Sequence, residues 1–275
     1  PIQLYTTYLM DKIRKAYVDT ANAQIHYLYS DGQGIPLLLF HRTPASSVIY
    51  ERMMKKMMGS RPIFALDTPG FGESFNPKGM PSVIDYRDWF CEAIDNLGIS
   101  SFHIYAHHTG THIATEIAVY WKHRVQSLML NGVAYLTEKE RLEFAKKILP
   151  ATRPDEDGRY LMETWKIIKS LFPSFDRDLV HSEFIGALRA MDGRDQAFRA
   201  IWDQEFTKVL RQVECPVFAM SAANDFFAGY LDRIKENIPS ARIALLGNAI
   251  VASPELDTDN TVRLLNEFMS DVESG

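Results

Sequence analysis

The stretch Phe102-His103-Ile104-Tyr105-Ala106-His107-His108-Thr109-Gly110-Thr111-His112-Ile113-Ala114 decides how this chain folds. It opens as a short apolar strand, passes through a tight turn of small residues and runs at once into a helix. Ala106 and Gly110 flank the turn and allow strand and helix to approach closely. A turn this sharp lifts its central residue, His108, out of both elements and leaves the side chain free to enter a pocket.

Outward from that turn, strand and helix patterns alternate. Arg14 to Thr20 and Gln24 to Tyr29 alternate apolar and polar residues around Ala21-Asn22-Ala23, which predicts an antiparallel hairpin. Ile35 to Phe40 is a continuous apolar run, as expected of a strand covered on both faces. Ser46 or Ser47 is placed to cap a helix through Met58, and the Met53, Met54, Met57, Met58 cluster reads as helix packing. Ile63 to Leu66 predicts a strand, and Ser82 to Leu97 a helix stopped by Gly98. The helix after the turn reaches Trp121, and Val125 to Leu130 forms the next strand.

The alternation then breaks. Residues 136–209 carry helical patterns at Glu138 to Leu149, Tyr160 to Leu171, Asp178 to Met191 and Asp195 to Val209, punctuated by Pro150, Pro154 and Pro173. It resumes with a strand at Pro216 to Ser221, a helix at Gly229 to Asn237, a strand at Arg242 to Leu246 and a helix at Asn260 to Val272. The organisation is one β/α core, 1–135 and 210–275, interrupted by a helical insertion, 136–209.

With 275 residues, 46% hydrophobic and 24% charged, the composition is that of a globular protein able to bury a large core. A net charge of −5 argues against nucleic acid or an anionic membrane as partner. There is no run of about 18 apolar residues to span a bilayer. Pro1-Ile2-Gln3-Leu4-Tyr5-Thr6-Thr7-Tyr8 lacks the charged and apolar regions of a signal peptide, although the sequence begins at Pro rather than Met. Cys91 and Cys215 stand far apart and read as buried thiols, so the expected compartment is the cytoplasm.

Three motifs in order make the chain resemble the α/β-hydrolase superfamily over nearly its whole length. They are His41-Arg42-Thr43-Pro44, similar to that family's His-Gly-x-Pro loop; Asp67-Thr68-Pro69-Gly70-Phe71-Gly72-Glu73-Ser74, similar to its Asp-x-x-Gly-x-Gly-x-Ser turn; and the 106–110 turn, which matches its nucleophile elbow. The resemblance implies a mostly parallel eight-stranded sheet flanked by helices, with the insertion as a helical cap. It also places the catalytic acid at Asp225, in Ser221-Ala222-Ala223-Asn224-Asp225.

Two departures coincide. The elbow holds His108 where the family has Ser, Cys or Asp. The terminal loop, Gly247-Asn248-Ala249, lacks the family's histidine, and no histidine follows His181. A His→Ala change engineered at 249 would leave His108 unexplained, so a natural, non-standard site is the simpler account. An imidazole at 108 reaches toward the space a missing histidine leaves. A relocated dyad is therefore expected, with Asp225 fixing the tautomer of His108 so that it activates water or moves a substrate proton. The Thr43 and Thr109 backbone N–H groups would form the oxyanion hole, at about 3 kcal/mol per donor.

Arg42, in place of the expected glycine, would favour a carboxylate-bearing substrate if it faced the pocket. His107, Phe226 and Trp202 are further candidates for substrate contact. Trp165, Phe172, Phe175, Phe184, Phe198 and Phe206 supply the insertion with core and an apolar roof. His41 and His103 read as structural, and His112 as a helix residue packed against the sheet. Adjacent histidines in a tight turn are expected to diverge, which argues against a metal on His107, His108 or His112; no cofactor is implied. The expected partner is a small apolar or aromatic carbonyl compound, an ester, lactone or similar, with a homodimer left open. Hydrolysis by His108-assisted water attack competes here with a cofactor-free lyase, isomerase or cyclase reaction, and with ligand binding without turnover.

Overall fold

The computed structural model describes residues 12–172, 174 and 176–275. Residues 1–11, Pro173 and Phe175, which bear on the leader and insertion readings above, lie outside them. Eight strands form one sheet: β1 (Arg14–Asp19), β2 (Gln24–Ser30), β3 (Leu37–Phe40), β4 (Ile63–Leu66), β5 (Phe102–His107), β6 (Val125–Asn131), β7 (Val217–Ala222) and β8 (Arg242–Leu246). Their spatial order is β1-β2-β4-β3-β5-β6-β7-β8. The two pairings made by β2 are antiparallel and all others parallel. This is the eight-stranded, mostly parallel α/β architecture that the motifs imply.

The helices are α1 (Glu51–Met57), α2 (Val83–Asn96), α3 (Thr109–Tyr120), α4 (Glu138–Lys147), α5 (Arg159–Ser170), α6 (Arg177–Arg189), α7 (Met191–Asp203), α8 (Phe206–Leu210), α9 (Leu231–Asn237), α10 (Ser253–Leu256) and α11 (Thr258–Ser274). The sheet divides the apolar side chains into two layers. One packs α2, α3 and α9 on Leu38, Ile104, Leu128 and Ala219. The other packs α1 and α11 on Leu37, Tyr105, Met129 and Phe218, and holds Met53, Met54 and Met57 as plain core residues. β5 is buried along its whole length, as a central parallel strand must be. No helix among the described residues is long and apolar enough to cross a membrane.

Local signals mostly act as read. Ser82 caps α2 in a reciprocal capping box with Asp85, and Gly98 stops it at φ 70°. Ser46 caps nothing: a 3₁₀ turn, Ser47–Tyr50, precedes α1, and the Ser47 N–H donates instead to Asp67 Oδ1 at 2.6 Å. The helix expected over 195–209 is two, α7 and α8, because Gln204 is extended (ψ 136°). That break turns the Gln204 side chain back onto α3. Burial pushes the Cys91 and Cys215 thiols up to about 12, and Cys215 is half-buried rather than buried.

The start of α3 touches the end of β3. A Cβ on Gly110 would stand 2.5 Å from the Phe40 carbonyl oxygen, a backbone atom that cannot step aside. Gly110→Ala is expected to lower stability by about 3 kcal/mol, the scale of overpacking, measured by urea unfolding.

Candidate active site

His108 sits between β5 and α3 with φ 46° and ψ −113°, the one non-glycine residue with positive φ among the described residues. Such a conformation costs about 1–3 kcal/mol and persists only where neighbours enforce it. Here the His108 N–H donates to the Asn131 carbonyl at 2.8 Å, and its own carbonyl accepts from the Thr111 N–H at 2.9 Å. Asn131 is the residue paired with His107 at the end of β6, so the sheet register itself pins the turn.

The turn brings His108 Nε2 to 2.7 Å from Asp225 Oδ2. Asp225 follows β7 and is oriented by its second oxygen, which accepts the Phe227 N–H at 2.8 Å. A carboxylate only accepts, so Nε2 carries the proton and Nδ1 presents a lone pair. Nδ1 has no hydrogen-bond partner among the described residues. Room for the imidazole comes from Gly132, φ 68°, directly after β6: a Cβ there would lie 2.5 Å from His108 Nε2 and 3.2 Å from Asp225 Oδ2. Sequence reasoning missed Gly132, although a glycine closing a strand beside the elbow strand is a readable signal.

His108 opens onto a cavity of about 540 Å³ between the sheet's C-terminal edge and helices α4–α7. Phe144, Ile148, Ile168, Phe198, Ile201 and Phe227 make most of its wall apolar. Trp202 lines it and is buried, while Phe226 lines it at the rim with 56% of its surface exposed. Thr43, Thr109 and Arg42 also reach it. The Thr43 N–H, one of the two expected oxyanion donors, donates to the Thr109 hydroxyl at 2.8 Å. The Thr109 N–H, at the first position of α3, has no acceptor within the helix.

Arg42 is not free to meet a substrate carboxylate. Its Nη2 donates to Glu183 Oε1 at 2.6 Å and lies 2.8 Å from Glu255 Oε1, all three side chains being buried. Glu183 comes from α6 of the insertion and Glu255 from α10 after β8. The cluster has no local sequence signature, because its members meet only in the fold. Two carboxylates share one cation, so burial and Glu183 push the Glu255 carboxyl up to about 7 against the pull of Arg42.

His41 is structural, as read: Nδ1 donates to the Arg42 carbonyl and Nε2 accepts from Thr68, both at 2.9 Å. His103 lies between Ser127 Oγ at 2.7 Å and Glu273 Oε1 at 2.9 Å. Asp67, from the second motif, gathers His26 Nδ1 at 2.8 Å and the N–H groups of Ser47 and Glu73. His107 is wholly buried behind the cavity wall, and neither ring nitrogen has a partner among the described residues. Burial, with His108 and Arg42 nearby, holds its pKa well below the usual histidine value. The two adjacent imidazoles do not diverge as expected: at φ 46° the turn brings their centroids to 4.6 Å. One ligand atom each from His107, His108 and Asp225 then falls within 4.8 Å of the others, a set that could hold a metal ion.

A sequence model of the alpha/beta hydrolase fold matches residues 35–242, and the chain belongs to that family. It is 23% identical over 210 residues to the (E)-2-((N-methylformamido)methylene)succinate hydrolase of Acinetobacter baylyi, covering 74% of this chain and 77% of that one. Among solved structures it resembles a bacterial membrane phospholipase A (TM-score 0.81, 19% identity, 100% of this chain and 91% of that one). It also resembles an E-2-(acetamidomethylene)succinate hydrolase (TM-score 0.76, 16% identity, 94% and 100%). At these identities the solved structures speak for the fold alone.

Two outcomes test the site's physics. Gly132→Ala should displace the His108 ring and lengthen its contact with Asp225 in a crystal structure, while the protein stays folded. For Glu255, the folded carboxyl holds its proton up to about pH 7, whereas an unfolded one releases it near 4.5. Between these values the folded state binds more protons, so this group's contribution to stability falls as pH rises. The Tm of Glu255→Gln should therefore gain on wild type from pH 5 to pH 8; a constant difference would contradict the assignment.

Proposed function

We propose that the chain is a hydrolase acting on a small apolar or aromatic carbonyl compound, such as an ester or lactone, with His108 and Asp225 as its acid/base dyad. The observation that carries this reading is the 2.7 Å contact between His108 Nε2 and Asp225 Oδ2, made by a strained elbow residue at the foot of an apolar cavity. Strain held in place by the sheet register is the mark of a working residue rather than of a filler. Asp225 fixes the tautomer, and Nδ1 takes a proton from water as the water oxygen bonds to the substrate carbonyl carbon. The oxyanion that forms is met by the Thr109 N–H and by the Thr43–Thr109 hydroxyl pair, whose oxygens are 3.0 Å apart. When the tetrahedral species collapses, the bond to the leaving group breaks and the Nδ1 proton passes to that group. No covalent enzyme intermediate forms.

Arg42 then serves to join the insertion to the core rather than to bind a carboxylate, its charge being met by Glu183 and Glu255. The Acinetobacter baylyi relative is a hydrolase of a substituted methylenesuccinate, which favours hydrolysis over lyase or isomerase chemistry. Its carboxylate-bearing substrate does not carry over to a cavity so largely apolar.

Wild-type protein should hydrolyse members of a panel of 4-nitrophenyl esters and aryl lactones with saturation kinetics. His108→Ala and Asp225→Asn should each lose at least 100-fold in kcat/KM, the scale of general base catalysis, with unchanged circular dichroism. A fluorophosphonate probe should leave the protein unlabelled. Full activity in His108→Ala sinks the dyad.

A further inference from the structure

His107 is enclosed on every side, and neither of its ring nitrogens has a hydrogen-bond partner among the described residues. A neutral imidazole has one donor and one acceptor to satisfy, and burying both unpaired is costly, so the residue calls for an explanation. The reaction proposed above makes no use of it. Its neighbours supply a use. The His107 ring stands edge-on to that of His108, centroids 4.6 Å apart and planes at 75°. His108 in turn meets Asp225 through Nε2. One nitrogen from each histidine and one oxygen of Asp225 lie within 4.8 Å of one another. His112 is not part of this group: its Nδ1 faces Gln204 Oε1 at 2.6 Å.

Two imidazoles and a carboxylate suit a zinc-class ion, which takes bonds of about 2.0–2.2 Å and leaves a fourth position to water. Successive residues of an ordinary strand point to opposite faces and could not share such an ion; φ 46° at residue 108 removes that bar. Tetrahedral ligands stand about 3.3 Å apart, so His108 Nε2 and Asp225 Oδ2, now at 2.7 Å, need part by only a little over half an ångström. Gly132 leaves the slack, since a Cβ there would stand 2.5 Å from that nitrogen and 3.2 Å from that oxygen. The ion would sit among the side chains rather than in the cavity. His108 is the one ligand that lines the cavity, its side chain 12% exposed against 1% for Asp225, so rotation of its ring opens the way in.

We propose that His107, His108 and Asp225 bind a divalent transition-metal ion of the zinc class, and that the bound ion switches His108 off as a base. A neutral imidazole carries one ring hydrogen. With the ion on Nε2, that hydrogen leaves Nε2 and Nδ1 carries one instead, so the lone pair that would take a proton from water is lost. The ring's charge does not change. The switch rests on the role given to His108 under the proposed function; the binding site does not.

The test is binding, and it needs no turnover. Chelator-treated wild-type protein, titrated calorimetrically with zinc chloride, should take up one ion per chain. His107→Leu and Asp225→Asn, each shown by its Tm to be folded, should weaken uptake by about 100-fold, the upper end of what removing even a supporting residue costs. On wild type alone, cobalt(II) should give the intense visible bands of a four-coordinate site. Long-range ¹H–¹⁵N correlation spectra should show the His108 hydrogen move from Nε2 to Nδ1 as zinc is added. No saturable uptake, undiminished binding in His107→Leu, or a His108 hydrogen that stays on Nε2 with zinc bound would each overturn the proposal. Full ester hydrolysis in His108→Ala would sink the dyad and with it the switch, while the titrations decide the site by themselves.

Discussion

The constraint on which the site depends is a backbone angle. Residue 108 must sit at φ 46° for the chain to leave β5 and enter α3 without a loop, and every neighbour is arranged to keep it there. Asn131, registered beside His107, accepts its N–H; Thr111 closes the first turn of α3 back onto its carbonyl. Gly110 lets the helix reach the end of β3, and Gly132 leaves space for the ring. Histidine gains nothing from such a conformation on its own account. The strain is offset by contacts spread over three strands and a helix, so the geometry of the elbow is a property of the sheet.

Given that position, the length of the side chain determines the rest. A hydroxyl at 108 would need an intervening base to reach an acid beyond β7. An imidazole closes the distance itself, meeting Asp225 at 2.7 Å. Ala249 of the terminal loop is buried as a small apolar residue. What stands at the elbow is a carboxylate-held imidazole whose Nδ1 has no partner among the described residues, the arrangement on which the proposed proton transfer rests.

Much of this was legible before any coordinates, and the boundary is a physical one. Strand and helix order followed from periodicity and from caps such as Ser82, because those signals lie within a few residues of one another. His108 and Asp225 could be paired from motifs whose places in the fold are fixed. Gln204 and the Arg42–Glu183–Glu255 cluster could not be found that way. Each acts through a partner far off in sequence, and a helical pattern over 195–209 gives no warning that Gln204 leaves the helix to reach α3. Nor does an arginine in a loop motif reveal whether its charge faces a substrate or two carboxylates. The reading of His107 and His108 as divergent failed for a related reason: divergence holds for ordinary backbone, and the elbow is not ordinary.

The same long-range pairings govern how the insertion is held over the cavity. On one side Gly193 of α7 rests against Gly70, so close that neither could bear a side chain. On another, Glu140 at the start of α4 pairs with Arg233 of α9, at 2.7 and 2.9 Å. The third tie is the buried Arg42–Glu183–Glu255 cluster. The first is contact between backbones and insensitive to pH, and the second is only half-buried and so screened by salt. Only the third is both buried and short of one positive charge. Desolvation makes an unbalanced buried charge far costlier than a surface one, so burial pushes the carboxyls of both Glu183 and Glu255 up against the pull of Arg42. Of the three ties, this is the one whose strength depends on the protonation of buried carboxyls.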